Sequence, residues 1–112
     1  MGVIAVLTNL PDSTSAFNLA QEMVQLRLAA CANVLAPCTS FYRWENTEEQ
    51  AVEVPVLLKT TETRYAELEA AIRERHPYDV PEIIAWPVTH GLPPYLDWVR
   101  RESAPITRLG NV

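Results

Sequence analysis

The stretch CANVLAPCTSFYRWENTEEQAVEVPVLLKTT, residues 31–61, decides the fold. Cys31 to Glu45 and Ala51 to Thr61 are rich in β-branched and aromatic residues and read as two long strands around the polar tip Glu45-Asn46-Thr47-Glu48-Glu49-Gln50. Asn46 tolerates the left-handed conformation that a turn requires, so the two strands form a hairpin. Pro37 cannot donate to a ladder and marks a bulge or an edge position in the first strand. In the second strand Val52, Val54, Val56 and Leu58 share one face, and Glu53, Pro55, Leu57, Lys59 and Thr61 share the other. The first is a core face. The second is mixed in polarity, which implies cover by something other than water.

Working outward, Gly2 to Thr8 reads as a strand, and Asn9-Leu10-Pro11-Asp12 supplies a turn and a helix start. From Ser13 to Leu28 the residues Ala16, Leu19, Ala20 and Met23 recur at helical spacing, with Asp12 or Ser13 as N-cap. Glu62 to Arg75 repeats the pattern with Tyr65, Leu68, Ala71 and Ile72 inward and a Glu69–Arg73 pair outward, until Pro77 stops it. Val80 to Val88 is a further strand, Tyr95 to Arg101 a short helix, and Ala104 to Leu109 a last short strand. This order predicts one α+β domain over residues 1–112. It is a ferredoxin-like βαββαβ sandwich with a long hairpin between its second and third strands and a short C-terminal extension. The expected core includes Leu19, Val54, Val56, Leu68 and Ile84.

Such a plan leaves one sheet face open. Strands of about 11 residues span roughly 36 Å, as wide as a whole domain of this size. Trp44, Tyr42 and Leu57 would then meet solvent, and association with identical chains is the simplest remedy, with Trp44 as an interface anchor.

The chain of 112 residues carries 48% apolar and 21% charged residues and a formal net charge of -5. That charge opposes a polyanionic partner, so no nucleic acid is expected. No apolar run approaches the roughly 20 residues needed to span a bilayer, so no membrane partner is expected either. The opening Met1-Gly2-Val3-Ile4-Ala5-Val6-Leu7 has no basic segment before its apolar run, and the expected location is cytoplasmic. Cys31 and Cys38 lie too far apart along one strand for a disulfide and should be reduced thiols. The sequence holds no nucleophile elbow, P-loop, zincin or dinucleotide motif, so no enzyme activity is expected.

Several segments resemble the CutA divalent-ion tolerance family in order and spacing. They are Leu7-Thr8-Asn9-Leu10-Pro11-Asp12, Leu28-Ala29-Ala30-Cys31-Ala32-Asn33, Phe41-Tyr42-Arg43-Trp44-Glu45, Leu58-Lys59-Thr60-Thr61, and the run from His76-Pro77-Tyr78-Asp79-Val80-Pro81-Glu82 to Ala85. Pro87-Val88 and Tyr95-Leu96-Asp97-Trp98-Val99 also fit. The resemblance implies a homotrimer with interlocking hairpins, an architecture similar to PII signalling proteins, and a link to tolerance of copper and other divalent cations. Relatives with proposed copper ligation carry Cys at the position of Thr8 and a second His at that of Arg75. Only His76 remains here, because a hydroxyl is a poor ligand for a thiophilic ion and a guanidinium cannot coordinate. Asn46 also replaces the Gly usual after Trp-Glu.

His76, between a helix end and Pro77, has three open roles: metal ligand, group titrating near neutral pH, and helix cap. Copper(II) or another divalent cation, weakly bound and mainly through His76, is the expected cofactor. Lys59, Glu53, Glu82 and Tyr42 should lie near a subunit boundary, and Tyr78 and Glu82 are close to His76 in sequence, so these residues form the expected ligand cleft. Trp44, Trp86 and Trp98 are read as packing anchors. The expected function is a trimeric binding module that takes a metal ion or small ligand at an intersubunit cleft. The alternatives are a PII-like signalling or scaffolding trimer, and a small enzyme using His76, Lys59 and Glu82.

Overall fold

The computed structural model describes residues 2–106. Strand β1 (Val3–Leu10) leads into helix α1 (Ser13–Gln25), followed by β2 (Cys31–Val34), β3 (Cys38–Trp44) and β4 (Thr47–Thr61). A 3₁₀ turn over Glu62–Arg64 opens helix α2 (Tyr65–Arg75), and β5 (Ile83–Pro87) and α3 (Pro93–Glu102) follow. The sheet is antiparallel in the order β2-β4-β1-β5, with β3 also pairing β4. The expected ferredoxin-like α+β sandwich is therefore present, and β2 and β3 together are the first arm of its hairpin.

Two departures in the hairpin have local causes. The first arm breaks over Leu35-Ala36-Pro37, where proline removes a donor, and Leu35 instead donates to the Pro55 carbonyl at 2.9 Å. At the tip, both Glu45 (φ 48°) and Asn46 (φ 66°) are left-handed. The turn is thus two residues long, not six, and matches the twist of the strands it joins. β4 gains four residues from this and is 15 long, about 50 Å at 3.4 Å per residue. The molecule accordingly measures 54 Å along its longest axis against 30 and 22 Å across, and its radius of gyration of 15.2 Å exceeds the roughly 13 Å of an ordinary domain this size.

Register assigns the two faces. Ile4, Val6, Thr8 and Leu10 of β1 stand beside Thr60, Leu58, Val56 and Val54 of β4, and this face packs on Ala16, Leu19, Ala20 and Met23 of α1 and Leu68 and Ile72 of α2. The opposite face carries Leu7, Leu57 and Ile84 in one row and Ala5, Lys59 and Trp86 in the next. α3 covers one end of it, where Val99 is buried with Val3 and Ala30. Ile84 is 49% exposed and Val52 63% exposed, so neither belongs to the subunit core as expected. Ile84 pairs Leu7 on the open face, while its neighbour Ile83 points to the helices beside Thr8. Val52 lies on the arm that has outrun the helices.

α1 ends at Gln25, three residues before the expected Leu28. Arg27 takes φ 59°, and Leu28 and Arg27 donate to the Met23 and Val24 carbonyls at 3.0 Å each, a Schellman close. The arginine that replaces the usual glycine has work elsewhere: it donates to the carbonyls of Arg101 and Ala104 at 2.9 Å and so caps α3. The expected Asp12 cap holds, with the Ser15 amide donating to its carboxylate at 2.8 Å. The outward partner of Glu69 is the Tyr65 hydroxyl at 2.8 Å. Of the expected strand over Ala104 to Leu109, Ala104 to Ile106 are not strand and the remainder lies outside the described residues.

Candidate functional site

A cleft of about 590 Å³ opens between the hairpin arm and the loop that follows α2. β3 and β4 supply Tyr42, Trp44, Glu49 and Glu53, and the register places Tyr42 opposite Glu49. The loop supplies Tyr78, Asp79 and Glu82, and β1 supplies Asn9.

The loop is pinned at one point. His76, 8% exposed, donates from Nε2 to the Asn9 carbonyl at 2.7 Å and accepts at Nδ1 from the Tyr78 amide at 3.2 Å. Acceptance at Nδ1 puts the single proton of a neutral ring on Nε2. Burial holds the imidazole below its ordinary pKa, with the Asn9 contact and the nearby Glu53 charge acting in the opposite direction. The Tyr78 ring lies 4.8 Å from that of His76, and its hydroxyl donates to Glu53 Oε2 at 3.2 Å. Desolvation, followed by the Glu53 charge and hydrogen bond, pushes the phenol up to about 12, so Tyr78 remains a donor at any physiological pH. Asn9 Nδ2 donates to Glu82 Oε1 at 3.3 Å. Asn9 thus binds both ends of the loop to β1, and two cleft carboxylates are held by neutral donors.

Four of the five expected cleft residues, Glu53, Tyr42, Tyr78 and Glu82, come together here, and Trp44 joins them. Lys59 does not. It lies six residues along β4 from Glu53, about 20 Å away, where Nζ donates to Asn33 Oδ1 and approaches Cys31 Sγ at 3.9 Å. The grouping of His76, Lys59 and Glu82 that an enzyme reading needs is therefore not assembled within the chain. Asn9, Glu49 and Asp79 were not anticipated. Glu49 was legible in principle, because a two-residue turn at Glu45-Asn46 puts it opposite Tyr42.

A direct copper site does not fit these residues. Both nitrogens of His76 have partners, and the Thr8 hydroxyl is fully buried under the helices. Arg75 donates to Glu22 at 2.9 Å and to the Ala71 carbonyl at 3.1 Å. Among the described residues no three His, Cys, Asp or Glu side chains converge to hold a metal ion. Both cysteines are free thiols, and no helix among the described residues is long and apolar enough to cross a membrane.

A family model described as CutA1 divalent ion tolerance protein matches residues 4–102. The "Divalent-cation tolerance protein CutA" of Citrobacter koseri is 42% identical over 96 residues, covering 86% of this chain and 84% of its own. Among solved structures, the divalent cation tolerance protein (Cut A1) from Thermus thermophilus gives a TM-score of 0.89 at 37% identity, covering 91% of this chain and 99% of that one. CutA from Xylella fastidiosa gives 0.89 at 36% identity, covering 93% and 100%.

Proposed function

Because the chain belongs to the CutA1 divalent ion tolerance protein family, we propose that it serves divalent-cation tolerance by binding rather than catalysis, as a homotrimer whose ligand site is the cleft beside the hairpin. The observation that carries this reading is the cleft's charge. Glu49, Glu53, Asp79 and Glu82 line it, and among the described residues no lysine or arginine does, so its field attracts cations and repels phosphates. Carboxylate, phenol and amide oxygens suit hard ions such as Mg²⁺ and Mn²⁺ better than copper. With no convergent inner ligand set among the described residues, the ion is held through its water shell, as Mg²⁺ often is, and weakly.

The trimer reading is supported by the apolar surface the chain leaves uncovered. Phe41, Tyr42 and Trp44 on the arm and Ile84 and Trp86 on the open sheet face are each more than 40% exposed. Large apolar side chains left exposed in this number suit an interaction surface. A neighbouring copy's hairpin closing over each of these faces would also wall in the cleft. Light scattering at micromolar concentration should report three chains, and a stable monomer would refute this part.

For the ion, Mn²⁺ added to isotope-labelled protein should broaden the resonances of Tyr42, Glu53, Tyr78 and Glu82, and excess Mg²⁺ should reverse the effect. Glu53→Gln with Glu82→Gln should abolish it. Broadening centred on His90 or on Lys59 and Cys31 instead would refute the site.

A further inference from the structure

We infer that the cleft is completed by a second chain: Lys59 of a neighbouring copy enters it and pairs with Glu53 and Glu82, so that each site is built from two subunits. This rests on the homotrimer and the cleft proposed above and deepens both.

Alternation puts the acids and the base on one sheet face. Glu49, Glu53, Leu57 and Lys59 share the open side of β4, and Asn9, which holds Glu82, is on the same side of β1. Of the two cations on strands, Arg43 stands opposite Glu48 on the reverse face and pairs with it at 3.3 Å. Lys59 is therefore the one cation that the strands present on the open face among the described residues. The carboxylates of that face gather at its other end, in the cleft.

Neither charge is matched within the chain. Lys59 donates to Asn33 Oδ1 and approaches Cys31 Sγ at 3.9 Å, and no carboxylate forms an ion pair with it among the described residues. Six residues of β4, about 20 Å, keep it from Glu53 of its own chain. An ammonium has three donors, so one remains after Asn33 and Cys31. In the cleft, Tyr78 donates to Oε2 of Glu53 and Asn9 to Oε1 of Glu82, which leaves the other oxygen of each carboxylate to accept it.

In a closed ring of three, each interface joins two different patches of neighbouring chains. An acidic patch and a basic patch about 20 Å apart on one face meet that requirement. Covering the open face also withdraws Lys59 from water, and a buried charge is tolerated only when a countercharge meets it. Trp86 stands in the row of Lys59 and Trp44 lines the cleft, so the same contact buries apolar surface around the ion pair. One ammonium against four carboxylates leaves the cleft acidic, and its attraction for a metal cation is reduced without being reversed.

Lys59 is the only lysine in the sequence, which gives a direct test on the full-length protein. A water-soluble carbodiimide joins an amine to a carboxylate in contact with it. The treated protein should give covalent dimers and trimers on a denaturing gel, with peptide mapping joining Lys59 to Glu53 or Glu82. Lys59→Arg should assemble by light scattering yet lose those bands, which excludes the amino terminus as the amine, and Glu53→Gln with Glu82→Gln should lose them too. Lys59→Glu should weaken assembly at least about tenfold, and adding Glu82→Lys should recover most of the loss. Circular dichroism matching the parent shows that each variant is folded. A monomeric parent, an assembled parent without Lys59 cross-links between chains, cross-links from Lys59 to other carboxylates, or a Lys59→Glu variant that assembles like the parent would overturn the proposal. Mn²⁺ broadening separates it from the metal reading. Broadening in the cleft without the cross-link sinks only the pairing between chains, and the cross-link without broadening sinks only the metal site.

Discussion

Replacing His76 with alanine removes the pin that joins the cleft loop to β1, and its cost follows from the contacts. Two hydrogen bonds are lost, to the Asn9 carbonyl at 2.7 Å and from the Tyr78 amide at 3.2 Å. A bond of this kind contributes about 0.5–1.5 kcal/mol net, and more when the partner is left unsatisfied away from water. The packing of the imidazole against Tyr78 is lost as well. A total of roughly 2–3 kcal/mol per chain is expected. The same contacts give a pH signature. The folded-state pKa of His76 is lowered by burial, so below about 6.5 the unfolded chain binds a proton that the folded chain resists. Stability is therefore fully present above that pH and is lost as pH falls through the window beneath it. Guanidinium unfolding at one fixed protein concentration, at about pH 7.5 and again at about pH 5.5, measures both effects, and staying at or above pH 5.5 keeps carboxylate titration out of the comparison. The parent should be less stable at the lower pH. His76→Ala should be weaker at both, with that pH difference reduced, and His76→Gln should also lose the pH difference while recovering part of the stability through its amide. Parent and His76→Ala curves with identical pH dependence would refute the account, as would an alanine cost below about 0.5 kcal/mol.

Other substitutions test the two faces of the sheet and the metal expectation. Trp44 is half exposed in the single chain, so if a neighbouring copy covers the remaining half, about 100 Å² of apolar surface is at stake, or roughly 2–3 kcal/mol per chain. Trp44→Ala should lower the melting temperature and make it depend more steeply on protein concentration; lost stability with unchanged assembly would return Trp44 to the subunit core. Ile72→Ala empties a site of 0% exposure and should cost about 2–5 kcal/mol at any concentration. Ile84→Ala, on the open face, should act mainly on the dissociation midpoint, and equal behaviour of the two isoleucine variants would contradict the face assignment. Copper(II) must displace Asn9 or Tyr78 to reach the His76 ring, so its calorimetric affinity should be weak and little changed in His76→Ala. A large loss would restore the direct ligation expected from sequence.

Period and punctuation made most of the fold legible. Asp12, with its carboxylate free to accept a backbone amide, marked the start of α1, and alternation along Val54, Val56 and Leu58 identified the buried face. What failed was decided by groups distant in sequence. Nothing local predicts that Arg27 will close α1 in the left-handed region, because the reward for an arginine there is two carbonyls at the far end of the chain. Ile83 and Ile84 are equal in hydrophobicity, and only their register against Thr8 and Leu7 separates helix face from open face. The length of β4 followed from the turn. With Glu45 admitted to the left-handed region alongside Asn46, the tip shrinks and every pair from Trp44–Thr47 to Cys38–Glu53 is fixed.

The candidate site obeys the same division. Residue chemistry singled out Tyr42, Glu53, Tyr78 and Glu82 because polar groups on strands and in a proline-bounded loop need a reason to be there. It grouped Lys59 with them as a polar group on a strand expected near a subunit boundary, and Glu53 and Lys59 do share a face of one strand. Parity carries no information about distance along the strand, and six residues of extended chain take Lys59 to a separate cluster with Asn33 and Cys31. Asn9 shows the converse. In sequence it reads as half of a turn, yet its carbonyl accepts from His76 and its amide donates to Glu82, so it gathers a loop nearly seventy residues away. Lys59, the single lysine expected in the cleft, would offset only one of its four carboxylates, and within the chain it lies with Asn33 and Cys31 instead. Within the chain, four carboxylates and the aromatic residues Tyr42, Trp44 and Tyr78 line the cleft with no cation among the described lining residues, so a positive partner there has to come from a ligand or from a neighbouring copy.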